Sequence, residues 1–452
     1  MDYKRDQYEN KDLHNNSIWE YAVAFVMGMV MLGALIALIR GKAYEIDLSK
    51  DTGDVLNIYT YTTEFQELMI DYYPDYEEID GETGRIGDVT VKWTIVPNVD
   101  GYYKETLKEF LDKQDIDIFI VEPCYNSMDF INDADCCLTM EELELTPYMR
   151  NQYPYTIDVA MDADGRVKGS AWAANPGAFM YRRSAAREVF GTDNPEEVQQ
   201  YLKDWESFYQ SAEELDKNGW KIVGASEETY RIFSQNAKNP WVENGKIQID
   251  PSLMEWSEQA KNFYEKGYVY TSGMWSMEWM EGGKEDGDVF GYFAAPWFVE
   301  AIFMETEMGE CGDWAICEGP ENFFWGGHLL CVAKESDNPG LARDILYQLT
   351  CNAKIMREMA EDGEFVNNFK VMDRYAEVEE AVAEYMGGQD VLEIFCQSAK
   401  KLHVKPCTPY DNTLDSLFQE NMKLYFDGVC SEEEVLEKFY NEAKEVFPEL
   451  EQ

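Results

Sequence analysis

Histidine is scarce in this chain, with three residues in 452: His14, His328 and His403. A Ser-His-Asp or Cys-His machine would have to rest on His328 or His403, and neither stands in a supporting motif. Also missing are G-x-S-x-G, H-E-x-x-H, a Walker glycine loop and a G-x-G-x-x-G after a strand, so no motif calls for catalysis or a cofactor. The ten cysteines follow no pattern: C-x-x-C is absent, and with so few histidines no zinc spacing exists. Most of them read as small buried hydrophobes, which in an exported chain implies reducing surroundings. The loop MDADGRVKGSAW is half a calcium loop, but Ala160 and Ala171 stand where the first ligand and the closing Glu belong, so no metal is expected.

Basic charge is short as well. Against 88 acidic residues there are 38 basic ones, a net charge of −50, which repels phosphate backbones and excludes nucleic acid as a partner. Disorder does not explain the acidity, because 45% of residues are hydrophobic and the chain holds 12 Trp and 29 Tyr. The 88 carboxylates allow a glycosidase-like pair to be drawn anywhere and so argue for none.

Long uncharged runs are absent except for one. Tyr21 to Ile39 carries no charge, and as a helix it spans about 28 Å, close to a bilayer core. It is longer than a signal-peptide core, the Gly41-Lys42-Ala43 cleavage site is mediocre, and the first cysteine, Cys124, lies too far on for a lipid anchor. The expectation is a short tail over 1–17 and a transmembrane or signal-anchor helix over 18–40. Lys4, Arg5 and Lys11 before it balance Arg40, Lys42 and Lys50 after it, so the charges do not set its orientation. The acidic remainder is expected outside the cell membrane, single-pass, on size alone.

After the anchor, DVLNIYTYTTEFQ reads as a strand, a polar turn and an amphipathic helix. VTVKWTIVPN is a second strand, and DIDIFIVEP a continuous apolar strand of the kind buried in parallel sheets. Alternating strands and helices make this an α/β layer, whose ligands bind beyond the carboxyl ends of the strands. Here those ends are Tyr61 to Glu64 and Glu122 to Tyr125. PGAFMYRRSAAREVFG, DVFGYFAAPWFVEAIF and ENFFWGGHLLCVAKESDNPGLARDILYQLT each add a strand and a helix.

Aromatics at loop ends give the chemical signal. Neutral sugars present apolar C–H faces and hydroxyls, so their sites combine flat rings with carboxylates and amides. The candidates are Tyr61, Glu64, Glu122, Tyr125, Trp172, Trp241, Trp275, Trp297 and Trp325. Gly326 and Gly327 permit positive φ or close approach, which would let Trp325 project into a cleft.

LNIYTYTTEFQELMIDYYP, DIDIFIVEP, VKGSAWAANPGAFMYRRSAAREVFGTDNPEEV, WESFYQSAEEL, VFGYFAAPWFVE and FFWGGHLLCVAKESDNPGLARDILYQLT together resemble the extracellular solute-binding proteins of carbohydrate ABC importers, the maltose-binding-like family 1. The resemblance implies an α/β, two-lobed periplasmic-binding-protein-like fold of type II with an interlobe ligand cleft. Carried over by position, lobe 1 is 44–174 plus 312–351 and lobe 2 is 175–311 plus 352–452. It also implies a non-catalytic protein without cofactor, partnered by a carbohydrate ligand and by permease subunits in the membrane. The alternatives are a membrane-anchored carbohydrate-active enzyme and a sensor that presents ligand to a receptor. The uncharged run without a lipid-anchor Cys departs from the family's usual pattern.

Overall fold

β-Branched and aromatic residues set up the first sheet. VLNIYT forms β1 (Val55–Thr60), and β2 (Tyr76–Asp80), β3 (Thr83–Ile86) and β4 (Val89–Ile95) follow as a meander. In β5 (Ile118–Val121) all four residues are buried, because β1 lies parallel on one side and β13 (Leu329–Val332) antiparallel on the other. With β6 (Ser170–Ala171) the order is β2-β3-β4-β1-β5-β13-β6. This computed structural model describes residues 44–98, 101–113, 115–123, 128–132, 136–299, 312–378, 382–383, 386–405 and 407–451. The chain divides into Met1–Asp47 and Leu48–Gln452, and every named element belongs to the second.

The second sheet is smaller. β7 (Ala178–Arg182), β8 (Lys221–Val223), β11 (Val289–Ala294) and β12 (Trp314–Cys317) run in the order β12-β7-β11-β8. A separate hairpin of β9 (Val242–Glu243) and β10 (Lys246–Ile247) lies outside it. Glu228 ties the layer together: its buried carboxylate accepts the N–H of Gly224, Ala225 and Phe293 and the indole N–H of Trp279. Burial nevertheless pushes its pKa up to about 7. Hydrogen bonds from four donors and a missing hydration shell oppose each other here, and the missing shell is the larger effect.

Two α/β lobes therefore exist as expected, but the exchange points differ from those carried over by position. β12 pairs along its length with β7, so residues 314–317 belong to the second lobe, and the return crossing falls between Cys317 and Leu329. The helix Ala353–Glu361 follows the first lobe's helix Pro339–Thr350, and Phe365 and Asn367 bond back to Ala174 and Trp172, so the last departure comes after Asn367 rather than at Cys351. Where the strands cross they lie side by side: Gly177 donates to Phe323 at 2.7 Å and Trp325 to Asn175 at 3.0 Å. A two-stranded crossing is a hinge that bends with few φ/ψ changes.

No helix among the described residues is long and apolar enough to cross a membrane, and the anchor expected at 18–40 lies outside them. The reading of the cysteines as unpaired needs one correction. Cys136, Cys137, Cys317, Cys331, Cys351, Cys396 and Cys430 are free, but Cys407 is disulfide-bonded. A pairing set by spatial approach leaves no mark in spacing. Cys407 packs into the first lobe's core beside Phe119 and Val121, although the helices on either side of it in sequence belong to the second lobe.

Candidate functional site

Both sheets point the carboxyl ends of their parallel strands at one cavity of about 550 Å³. Lobe 1 contributes Asn98 beyond β4, and Glu122 and Pro123 beyond β5. Lobe 2 contributes the helix Glu227–Gln235 beyond β8 and Trp297 beyond β11, and the hinge supplies Phe324, Trp325 and Gly326. This is the position at which open α/β sheets bind ligands, and the volume is that of a small-molecule site.

One end of the cavity is aromatic. The indole N–H of Trp297 donates to the Trp325 carbonyl at 2.7 Å, and their rings meet edge to face at 4.7 Å. Gly326 (φ 75°) and Gly327 (φ 107°) turn the chain just after Trp325. A Cβ on Gly326 would stand 3.3 Å from the Trp297 indole nitrogen, so the glycine is what allows the pair to form. The Arg231 guanidinium lies over the Trp325 ring at 4.1 Å. Trp275 packs against Trp325 at 5.8 Å while remaining 49% exposed, and its φ of 65° is unusual for so bulky a residue.

Facing these rings from lobe 1 is Glu122, which accepts a 3.4 Å bond from the Asn98 amide. Burial pushes its pKa up to about 7, against the opposing pull of the Arg231 charge. The other end of the cavity is polar and lies within lobe 2. There Asp415 Oδ1 accepts the Tyr230 hydroxyl and, at 3.1 Å, the Trp241 indole N–H. Burial raises the Asp415 pKa to about 7; the Tyr230 bond opposes this and the Asp411 charge adds to it.

Of the residues singled out in the sequence, Glu122, Trp241, Trp275, Trp297 and Trp325 line the cavity. Trp241 and Trp325 are both only 7% exposed; Trp241 packs on Phe418 and Phe439 and its indole N–H aims Asp415, while Trp325 stacks on Phe298 at 5.4 Å. Tyr61, Glu64 and Trp172 form a separate group around His328. Trp172 is fully buried, stacks on His328 at 4.8 Å and donates to Glu64 at 3.2 Å, and Glu64 lies 3.4 Å from the imidazole. Burial lowers the His328 pKa against the pull of Glu64. Tyr61 leans on the same imidazole, and its buried hydroxyl has no partner among the described residues. Tyr125 lies outside the described residues.

Arg231, Asp415 and Gln248 were not evident in the sequence. Glu227, Tyr230, Arg231 and Ser234 do share one helical face at i, i+3, i+4 and i+7, a signal that marks a face but not what it faces.

Comparison with known proteins adds the family. A sequence model described as bacterial extracellular solute-binding protein matches residues 76–385. A search of curated proteins finds no match. Among solved structures, an extracellular solute-binding protein of family 1 superposes with a TM-score of 0.71 at 18% identity, over 86% of this chain and 99% of that one. The galacto-N-biose-/lacto-N-biose I-binding protein of the ABC transporter from Bifidobacterium longum, in complex with lacto-N-biose, gives 0.66 at 15% identity over 89% and 100%. An ABC transporter associated binding protein from B. animalis subsp. lactis Bl-04, in complex with beta-1,6-galactobiose, gives 0.65 at 17% over 87% and 98%. At such identities the likeness is one of fold.

Proposed function

Because the chain belongs to the bacterial extracellular solute-binding proteins, we propose that its interlobe cavity captures a neutral mono- or oligosaccharide and delivers it to the membrane permease of an ABC importer. The observation that carries this reading is the hinge-side cluster of Trp275, Trp297 and Trp325, with Arg231 behind and Glu122 across the cleft. Flat rings take the apolar faces of a sugar, and the carboxylate and amides take its hydroxyls. Hinge bending would bring Asn98 and Glu122 down on a ligand resting on the lobe 2 rings, and the closed form is the one a permease would receive. Several superposed proteins hold sugars in their crystals, among them a cyclo/maltodextrin-binding protein with maltotetraose, which fits this reading.

Calorimetric titration against a panel of neutral sugars tests it. Trp325→Ala should weaken binding by about 1–3 kcal/mol with no reducing ends released. Saccharide cleavage would instead favour the enzyme reading. The helix expected over 18–40, with its uncharged run from Tyr21 to Ile39, is proposed as the anchor that keeps the binding domain at the outer face. The full chain should then stay with membranes after carbonate extraction, and a chain lacking residues 1–43 should not; a mature N-terminus near Ala43 would overturn the anchor.

A further inference from the structure

The cavity is longer than its aromatic end. Glu227, Tyr230, Arg231, Ser234 and Gln235 all line it, so it follows the helix Glu227–Gln235 for about 12 Å. One pyranose ring does not span that distance. The hydrogen-bonding groups of the far end can be sorted by whether they are already in use. Asp250 is consumed as a cap, accepting Ser252 N–H at 2.9 Å and the N–H groups of Lys238 and Asn239 at 3.0 and 2.7 Å. Asp411 is consumed by Thr408, whose N–H and hydroxyl donate at 2.8 and 2.5 Å. Asp415 is half used: Tyr230 and Trp241 both donate to Oδ1, and no described residue donates to Oδ2. The side-chain amide nitrogen of Gln248 is buried and has no acceptor among the described residues. Trp241 connects the two residues: its indole N–H donates to Asp415, and its backbone carbonyl accepts the backbone N–H of Gln248 at 2.8 Å.

From this accounting we infer that lobe 2 contains a second sugar subsite around Trp241, in which Asp415 Oδ2 accepts from and the Gln248 amide donates to hydroxyls of a further sugar unit. The ligand is therefore at least a disaccharide, a conclusion that rests on the sugar-capture reading. An open acceptor and an open donor lining the same end of the cavity suit hydroxyls, which both give and take hydrogen bonds, better than they suit an amine, which only gives. An unfilled buried amide is also costly, so a ligand that completes it gains discrimination over one that cannot reach it.

The test is calorimetric titration of the full chain with gluco- and galacto-configured sugars, each as monosaccharide and as disaccharide. The disaccharide of the preferred series should bind about ten-fold or more tightly than its monosaccharide. Asp415→Asn, which keeps shape and Oδ1, and separately Gln248→Ala should each remove most of that difference and leave the monosaccharide affinity unchanged, while Trp325→Ala weakens both. Equal affinity for the two lengths, or a disaccharide preference that survives both variants, overturns the subsite and leaves sugar capture standing. No binding by any sugar of the panel overturns the sugar reading and the subsite with it.

Discussion

Trp275 holds a backbone conformation that costs a bulky L-residue about 1–2 kcal/mol, and nearly half of its surface faces solvent. Core packing does not require such a residue, whereas a ligand platform does. Trp275→Asn should therefore leave the melting temperature unchanged or raise it, while sugar affinity falls by about 1–2 kcal/mol. A melting curve and a titration on the same sample read both, and a lower melting temperature with unchanged affinity would return the ring to the core. At this scale the sequence was partly legible. Trp297 and Trp325 stand next to Pro296 and Gly326, which mark a chain bend; there Trp297 is half-buried, while Trp325 is buried with its ring stacked on Phe298 at 5.4 Å. Trp172 and Trp241 carry the same kind of loop-end signal, but one stacks on His328 and the other on Phe418, partners a long way off in the chain. Arg231 and Asp415 lay on ordinary amphipathic helices, where nothing separates a cavity-facing charge from a solvated one.

Among the elements, the hinge depends most on single residues. Gly327 adopts φ 107°, and a Cβ there would lie 3.2 Å from the Asn175 amide nitrogen, itself part of the crossing. Gly327→Ala should destabilise the fold by about 1–3 kcal/mol, seen as a lower denaturation midpoint with an unchanged slope. β1, β4 and β5 were recognisable because β-branched and continuous apolar runs mark strands whatever their neighbours. β12 was assigned to the wrong lobe for the converse reason. Trp-Ala-Ile-Cys is buried throughout and would suit either sheet, and its pairing with β7 spans more than a hundred residues. Short strands carry too little pattern to specify a long-range partner.

Over the whole molecule, the charge of −50 combines with a few acids that resist ionising. Glu122 and Glu228 are raised from 4.5, and Asp415 from 3.8, each to about 7 and each chiefly by burial. A carboxyl whose folded pKa is raised binds more protons folded than unfolded, so its contribution is full below the unfolded pKa and is lost as pH rises through about 7. The melting temperature should thus fall between about pH 5 and pH 8, and Asp415→Asn should flatten that fall. A curve with the same slope in both proteins would show that Asp415 is not one of the groups responsible. The two-lobed architecture itself was recoverable from the order of strands and helices, because that order dictates layers; the cavity's polar end was not, since it is assembled from residues 227–250 and 404–419 only on folding.

The central claim is that a neutral sugar rests on the hinge-side tryptophans between the lobes. Titrating the full chain with the sugar panel while following tryptophan fluorescence tests it most directly. The account predicts a saturable change with at least one sugar that Trp325→Ala abolishes or shifts to much higher concentration. It would be contradicted if no sugar saturated the signal while a polyamine or a peptide did.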